Sequence, residues 1–232
     1  MENSSSATAT MQSSYLFLVL AVAVVNSEII NINSGVDEGL AQTNKFLRKH
    51  KFTTVRVPKG SFGSHVSFSD SDVLGLDSLK RTDNCTIEVV EKNITIDLHY
   101  GLGLYQQSFK ILSIFDQDMS ASFRIRDNSV RLYYTADFSG NNGLNCSVTL
   151  HDLSFERLAK VDFSSSRPEY DGLNVEEYFE KEIVPFLNSK VDKYGVKKAL
   201  EQLICKQQHQ EVSEQMPMIH MSILQQIGVP AQ

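Results

Sequence analysis

The chain has 232 residues, with 22 Lys and Arg against 28 Asp and Glu, which gives a formal net charge of -6. This acidic balance argues against a nucleic-acid partner, because such proteins present a basic surface to phosphates. The length is enough for one domain with a substantial core and is short for two.

The first segment has the outline of a signal peptide. An unbroken apolar run over residues 15–25 follows a Ser/Thr-rich start and precedes a cleavage point at Ser27, although no Lys or Arg precedes the run. A signal anchor is the alternative, but the run is shorter than the roughly 20 apolar residues of a membrane span. We therefore expect a secreted, extracellular protein: a signal peptide over residues 1–27, one domain over residues 28–206, and a tail over residues 207–232. Within that tail, residues 216–229 fit either a loose end or a short docking helix.

Residues 34–51 are predicted to form a helix. Ser34 is the expected cap, Asp37 and Glu38 lie in the first turn, and basic residues fill the last turn, where they complement the helix dipole. Its apolar stripe is narrow, which predicts a helix lying on a surface.

The middle of the chain alternates apolar and polar residues with the period of a β-strand. Ile94, Ile96, Leu98, Tyr100, Leu102 and Leu104 are expected to face one way, and the same alternation recurs in residues 121–126 and 130–138. Residues 127–129 and 139–143 are predicted hairpin turns, the second leading into a strand over residues 144–155, so neighbouring strands should be antiparallel. The strands exceed the roughly five or six residues usual for a strand, and Gly101 and Gly103 would let the sheet bend.

A long helix is predicted to follow the sheet. Asn174 is its expected cap, and Val175, Tyr178, Phe179, Ile183, Phe186 and Leu187 keep helical spacing, with a kink near Pro185 and a break near Gly195. The predicted fold class is therefore α+β: a long curved antiparallel sheet rolled around a long C-terminal helix, with an N-terminal helix leading in.

This order of elements, with the segment Val73-Leu-Gly-Leu-Asp-Ser-Leu-Lys-Arg81 before the paired strands, resembles the mite group 7 allergen family. Those proteins are single-unit members of the tubular lipid-binding superfamily that includes bactericidal/permeability-increasing protein. The resemblance covers about residues 34–206 and implies a half super-roll and a secreted lipid-binding role, with a hydrophobic pocket at one end of the roll. Insect hormone carriers resemble the chain in roll and size, but they typically carry a close cysteine pair near the mature N-terminus, and residues 27–84 contain no cysteine.

The expected partner is a lipid or another hydrophobic small molecule, held by inward positions near one end of the roll. Each position alone could equally be ordinary core, so the hypothesis concerns the set. The predicted ligand-binding residues are Leu98, Tyr100, Leu102, Phe109, Ile111, Phe123, Ile125, Leu132, Tyr134, Phe179 and Ile183.

We expect neither catalysis nor a cofactor. His99 and His151 lie on predicted strands near Asp97 and Asp152, but His99 and Asp97 should face outward together, as on an ordinary solvated sheet face. The chain has no metal-binding, nucleophile or phosphate-loop motif.

Cys85, Cys146 and Cys205 predict one disulfide and one remaining thiol in an oxidising compartment, with three pairings open. Asn84, Asn93 and Asn145 begin glycosylation triplets.

A surface role without an enclosed ligand is the alternative function. Residues 48–51 (Arg-Lys-His-Lys), with Lys80 and Arg81, define a candidate basic patch for an anionic membrane or a microbial surface.

Overall fold

The computed structural model describes residues 29–62, 65–138 and 146–206. The predicted signal peptide, the tail, the hairpin turn at residues 139–143 and Asn145 lie outside the described residues. The elements in chain order are β1 (Ile29–Asn31), α1 (Asn33–Lys49), β2 (Thr54–Phe62), β3 (Val66–Leu74), β4 (Leu79–Arg81), β5 (Thr86–Val90), β6 (Asn93–Leu102), β7 (Tyr105–Ile114), β8 (Gln117–Asp137), β9 (Ser147–Ser165), α2 (Glu176–Tyr178), a π-helix (Phe179–Ile183), α3 (Val184–Lys190) and α4 (Lys193–Lys206).

The nine strands form one antiparallel sheet, so the chain is α+β. β6 and β7 lie end to end along one edge of β8, and they keep one register, with Leu98 opposite Leu132 and Tyr105 opposite Ile125. The three strands thus make a single long hairpin. β9 covers the other edge of β8 along most of its length. β5 and β4 flank β6 whereas β3 flanks β7, so the sheet divides at the junction of β6 and β7.

The turn predicted at residues 127–129 is wrong, because β8 runs without interruption through all 21 of its residues. Asn128 and Ser129 are buried, and both are held by tertiary hydrogen bonds: Asn128 to the backbone of Leu102, and Ser129 Oγ to Glu156 Oε2 at 2.7 Å. These bonds stabilise an extended chain at residues whose local preference is a turn.

The segment between β3 and β4, which carries the sequence resemblance, forms the point where the sheet divides. Gly75 has a φ of +89°, and a Cβ there would lie 1.9 Å from the carbonyl oxygen of Leu104, so only glycine fits. Ser78 accepts a hydrogen bond from the Leu104 N–H at 2.9 Å through its hydroxyl, and from the Gly103 N–H at 2.6 Å through its carbonyl. The segment therefore ties the β3–β4 connection to the β6–β7 junction.

α1 begins at Asn33, one residue before the predicted cap, and its N-cap residue Ile32 makes no side-chain capping bond. The Ile32 N–H is instead bound to the Cys85 carbonyl oxygen, which continues the pairing of β1 with β5 into the helix start. Asp37 pairs with Arg81 on β4 at 3.0 Å. Only Leu47 of α1 is buried, which confirms a helix lying on a surface.

The C-terminal helix is interrupted twice. A π-helix precedes Pro185, which has no N–H to continue the α-helical ladder, so the helix changes its hydrogen-bonding pattern where a kink was predicted. The break lies at Val191 and Asp192 and not at Gly195, because the Asp192 carboxylate accepts a bond from the Gly195 N–H at 2.9 Å and so orders the first turn of α4. Cys146 and Cys205 form a disulfide that joins the start of β9 to α4, and Cys85 remains as a buried thiol.

The core has two main parts on one face of the sheet. The first contains Phe179 and Ile183 of the π-helix packed on β7, β8 and β9, and the second contains Val196 and Leu200 of α4 packed on β8 and β9. Within the described ranges, no helix is both long enough and apolar enough to span a bilayer.

Candidate functional site

A large apolar cavity lies between the sheet and the C-terminal helical segments, and its lining draws on both parts of the core. Its volume is about 280 Å³, close to the lower end of the roughly 300–1,000 Å³ typical of small-molecule sites. Phe123 and Phe179 line it from the first core part, and Leu153 and Val196 line it from the second. The cavity therefore bridges the two core parts beneath the C-terminal helical segments.

Six of the eleven predicted ligand-binding residues line this cavity. They are Tyr100, Leu102, Phe123, Ile125, Phe179 and Ile183. Phe123 is at the centre of an aromatic group, with ring centroids 5.3 Å from Phe109 and 5.1 Å from both Phe163 and Phe179. Three of these four rings, those of Phe123, Phe163 and Phe179, line the cavity.

Four predicted residues face the interior but do not line the cavity. Leu98, Leu132 and Tyr134 belong to the second core part, where Leu132 and Tyr134 are buried. Phe109 is 3 % exposed and lies behind Phe123. The structure therefore places these four in the core that supports the cavity.

Ile111 was predicted to face inward and does not, since it is 47 % exposed. The pairing of β7 with β8 shifts register between Phe109 and Leu112, so Leu112 takes the inward position that strict alternation assigns to Ile111. The predicted inward face of Leu104 is also wrong. β6 ends at Leu102, and Leu104 is 41 % exposed.

The sequence analysis missed the part of the lining that comes from β2 and β3. Val55, Val57 and Phe62 of β2 and Val66 and Phe68 of β3 all line the cavity. The alternation of Val55 and Val57 was a usable signal, but Pro58 and the Ser/Asp-rich sequence of β3 conceal these strands.

A buried polar side chain, that of Gln107, lies in the mostly apolar wall. Gln107 lines the cavity and is 6 % exposed; its amide donates to Ser71 Oγ at 2.7 Å and accepts from the Tyr105 hydroxyl at 3.1 Å. Tyr105 also lines the cavity, and Ser71 lies fully buried behind Gln107.

The buried part of the wall carries no charged side chain. Burial raises the pKa of Tyr100 and of Tyr105 to about 12, so both phenols keep their protons. Among the described lining residues there is no Lys, Arg, His or Glu, and the one charged side chain is that of Asp192, an exposed residue at the break between α3 and α4. A buried anion would find no opposite charge here.

The cavity reaches solvent at its exposed lining residues, two of which lie beside the start of the C-terminal helix. Leu173 and Tyr178 line the cavity while they are 49 % and 40 % exposed. Exposed apolar side chains that also line a cavity mark its contact with solvent.

The outer face of the sheet carries a polar network around His99 and Asp97. His99 Nδ1 lies 2.9 Å from Glu156 Oε2, and its Nε2 lies 3.3 Å from Asp97 Oδ1. Arg131 forms a two-pronged pair with Asp97, and its hydrogen bond lowers the pKa of that carboxyl group. His151 bonds Thr135 at 2.8 Å in a separate group. No set of three or more His, Cys, Asp or Glu within the described part of the chain is arranged to hold a metal ion.

The candidate basic patch is partly neutralised. Arg48 pairs with Asp77 at 3.2 Å and Arg81 pairs with Asp37, whereas Lys49, Lys51 and Lys80 are exposed. Two of its six residues are thus already engaged by carboxylates.

Two of the predicted glycosylation acceptors can be placed. Asn84 and Asn93 are both exposed, and Asn93 begins β6 directly after the turn that joins β5 to β6. The Asn84 side chain accepts a bond from Asn33 at 3.0 Å.

No protein-family model matches the chain, and no curated protein matches it significantly. Its function must therefore be argued from the geometry of the cavity.

Proposed function

We propose that the protein is a secreted binder or carrier of lipids or other hydrophobic small molecules. The observation that carries this proposal is the apolar cavity of about 280 Å³ between the sheet and the C-terminal helical segments. Burial of an apolar ligand there contributes about 25 cal/mol per Å² of surface removed from water, without any specific polar contact. In this proposal the sheet and the helical segments form one half super-roll of the tubular lipid-binding kind.

Secretion is supported by two sequence features and one structural feature. The predicted leader over residues 1–27 and the acceptor triplets at Asn84 and Asn93 suit an extracellular protein. The disulfide between Cys146 and Cys205 belongs to an oxidising compartment.

The direct test is to secrete the protein from eukaryotic cells, record its mass under native conditions, and extract it with organic solvent. We expect a bound apolar molecule that stays with the protein through purification. If the purified protein carries no bound molecule, the uptake experiment below tests whether the cavity can take one.

Uptake can be measured with an introduced fluorophore, because the chain contains no Trp. Leu173→Trp places an indole at the opening of the cavity, and Ile111→Trp is a matched control, since Ile111 has nearly the same exposure but does not line the cavity. Addition of a fatty alcohol should shift the emission of the Leu173 variant and leave that of the Ile111 variant unchanged. An identical response of both variants, or none from either, would contradict an enclosed ligand.

Binding to anionic vesicles, measured at increasing salt, separates the alternative surface role. A basic patch binds anionic vesicles and loses them as salt rises, whereas filling of an apolar cavity is insensitive to salt. The pairing of Arg48 and Arg81 with carboxylates weighs against the patch.

A further inference from the structure

The amide of Gln107 is not fully bonded within the protein. One amide hydrogen donates to Ser71 Oγ and the amide oxygen accepts from Tyr105. Among the residues that the structure describes, the second amide hydrogen has no acceptor. Turning the amide over would exchange the roles of Ser71 and Tyr105 and still leave one amide hydrogen unused, so this conclusion holds for either assignment.

An unpaired donor in this place has a cost. Gln107 is 6 % exposed, and buried polar groups that lack a partner destabilise the folded state. Asn128, 7 % exposed and also in the lining, likewise uses only one amide hydrogen, on the Leu102 carbonyl oxygen. The wall of the cavity thus offers amide donors where an apolar wall would offer none.

The absence of positive charge in the described lining favours neutral acceptor groups over anionic ones as partners of these amide donors. A carboxylate could accept from Gln107, but no described lining residue would balance its charge, and the nearest formal charge in the lining is the negative one of Asp192. Desolvation of an anion without a counter-charge is costly, whereas a hydroxyl or carbonyl oxygen needs only a donor.

We infer that the cavity takes a neutral amphiphile, an apolar chain that carries an alcohol or carbonyl oxygen, and that Gln107 donates a hydrogen bond to this oxygen. The inference rests on the proposed function and narrows its ligand class. In the case of an alcohol, the Tyr105 oxygen next to the Gln107 amide is an acceptor for the ligand's own proton.

The test compares three ligands of equal chain length at neutral pH: decane, decanol and decanoate. Each is titrated into the Leu173→Trp variant, with the Ile111→Trp variant as control. We expect decanol to bind about ten-fold more tightly than decane, as one additional buried hydrogen bond allows, and decanoate to bind more weakly than decanol. Equal binding of all three, or preference for decanoate, would overturn the inference while leaving the carrier function intact. Failure of all three to bind would instead contradict the proposed function.

A second variant assigns the preference to Gln107. Gln107→Met keeps the length of the side chain and removes the amide, so the ratio of decanol affinity to decane affinity should fall to nearly one, whatever the change in decane affinity itself. Circular dichroism checks that this variant is folded. If it does not fold, the comparison of the three ligands in the Leu173→Trp variant still decides the inference. A decanol preference that survives in a folded Gln107→Met variant would show that the oxygen is held elsewhere.

Discussion

Asn128 and Leu102 exchange two hydrogen bonds at the junction of β6 and β7. The Leu102 N–H donates to Asn128 Oδ1 at 2.7 Å, and Asn128 Nδ2 donates to the Leu102 carbonyl oxygen at 2.8 Å. The side chain thereby bonds the backbone of the neighbouring strand at the point where the regular ladder of backbone hydrogen bonds ends. A Cβ at Gly101 would lie 2.3 Å from the Asn128 carbonyl oxygen, so the glycine permits this close approach.

The same exchange occurs at two other junctions. Asn44 of α1 bonds both backbone groups of Leu79 at 2.8 and 2.9 Å, and Asn188 of α3 bonds both backbone groups of Phe155 at 3.0 and 2.6 Å. Phe155 lies at the register shift between β8 and β9. Asparagine amides thus complete the backbone bonding at three places: the division of the sheet, the contact of α1 with β4, and the contact of α3 with β9. Without them, these backbone groups would lack partners.

Replacement of Asn128 should destabilise the protein strongly. Asn128→Ala leaves the N–H and the carbonyl of Leu102 without partners, and we expect the free energy of unfolding to fall by about 2–4 kcal/mol. Chemical denaturation measures this change. Asn93→Ala, at an exposed position, should cost less than about 0.5 kcal/mol. Equal losses in the two variants would contradict the role assigned to Asn128.

Gly75 should tolerate no side chain. Gly75→Ala places a Cβ 1.9 Å from the Leu104 carbonyl oxygen at a φ of +89°, and we expect a loss of more than about 3 kcal/mol or no folded protein. Gly172→Ala is a matched control, because its φ is +70° but nothing lies within 4 Å of the added Cβ. That variant should cost only about 1 kcal/mol in thermal or chemical unfolding. A similar cost for both would show that φ alone, and not the close approach to Leu104, makes glycine necessary.

Much of the sheet could be predicted from the sequence, because alternation depends only on which face is buried. This reasoning placed Tyr100, Phe123 and Ile125 on the inner face correctly. It failed at Asn128, where residues typical of turns are held extended by partners that are distant in sequence. Local preference and tertiary bonding disagree there, and a single sequence shows only the first.

The lining of the cavity was harder to predict than its existence. Ile111 lies two residues after Phe109, yet one register shift moves it to the outer face. Gln107 could not be predicted as a site residue, because the alternation assigns apolar residues to inward positions and Gln107 is polar. Its burial and bonding to Ser71 become evident only when β3 and β7 are paired.

Reduction of the disulfide should lower the free energy of unfolding of the protein. Cys146 and Cys205 are 59 residues apart, and a crosslink over a loop of that length is expected to stabilise the folded state by about 4 kcal/mol, mainly by restricting the unfolded chain. Unfolding of the protein with and without reductant measures the difference. Because Cys85 is fully buried and burial raises its pKa, the oxidised protein should show no reactive thiol until it unfolds. Rapid alkylation of the native oxidised protein would contradict the assignment of Cys85 as the unpaired cysteine.

Stability should fall steeply at alkaline pH. Burial raises the pKa of Tyr100, Tyr105 and Tyr134 from the ordinary value of 10 to about 12. Between these two pH values the unfolded chain releases phenolic protons that the folded chain retains. Each phenol therefore lowers the free energy of unfolding by up to about 1.4 kcal/mol per pH unit as the pH rises, while below the ordinary pKa its contribution is constant.

Tyr134→Phe tests this alkaline dependence at a position in the second core part, outside the cavity lining. In urea unfolding at several pH values, the free energy of unfolding of this variant should fall less steeply with pH between pH 10 and 12 than that of the parent protein. The difference should correspond to one proton fewer released on unfolding. Phe163→Leu removes a buried ring that does not titrate, so it should lower stability equally at every pH and leave the slope unchanged. An unchanged slope in the Tyr134 variant would mean that this phenol reaches water in the folded protein, and the second core part would then be more open than its packing against Val196 and Leu200 implies.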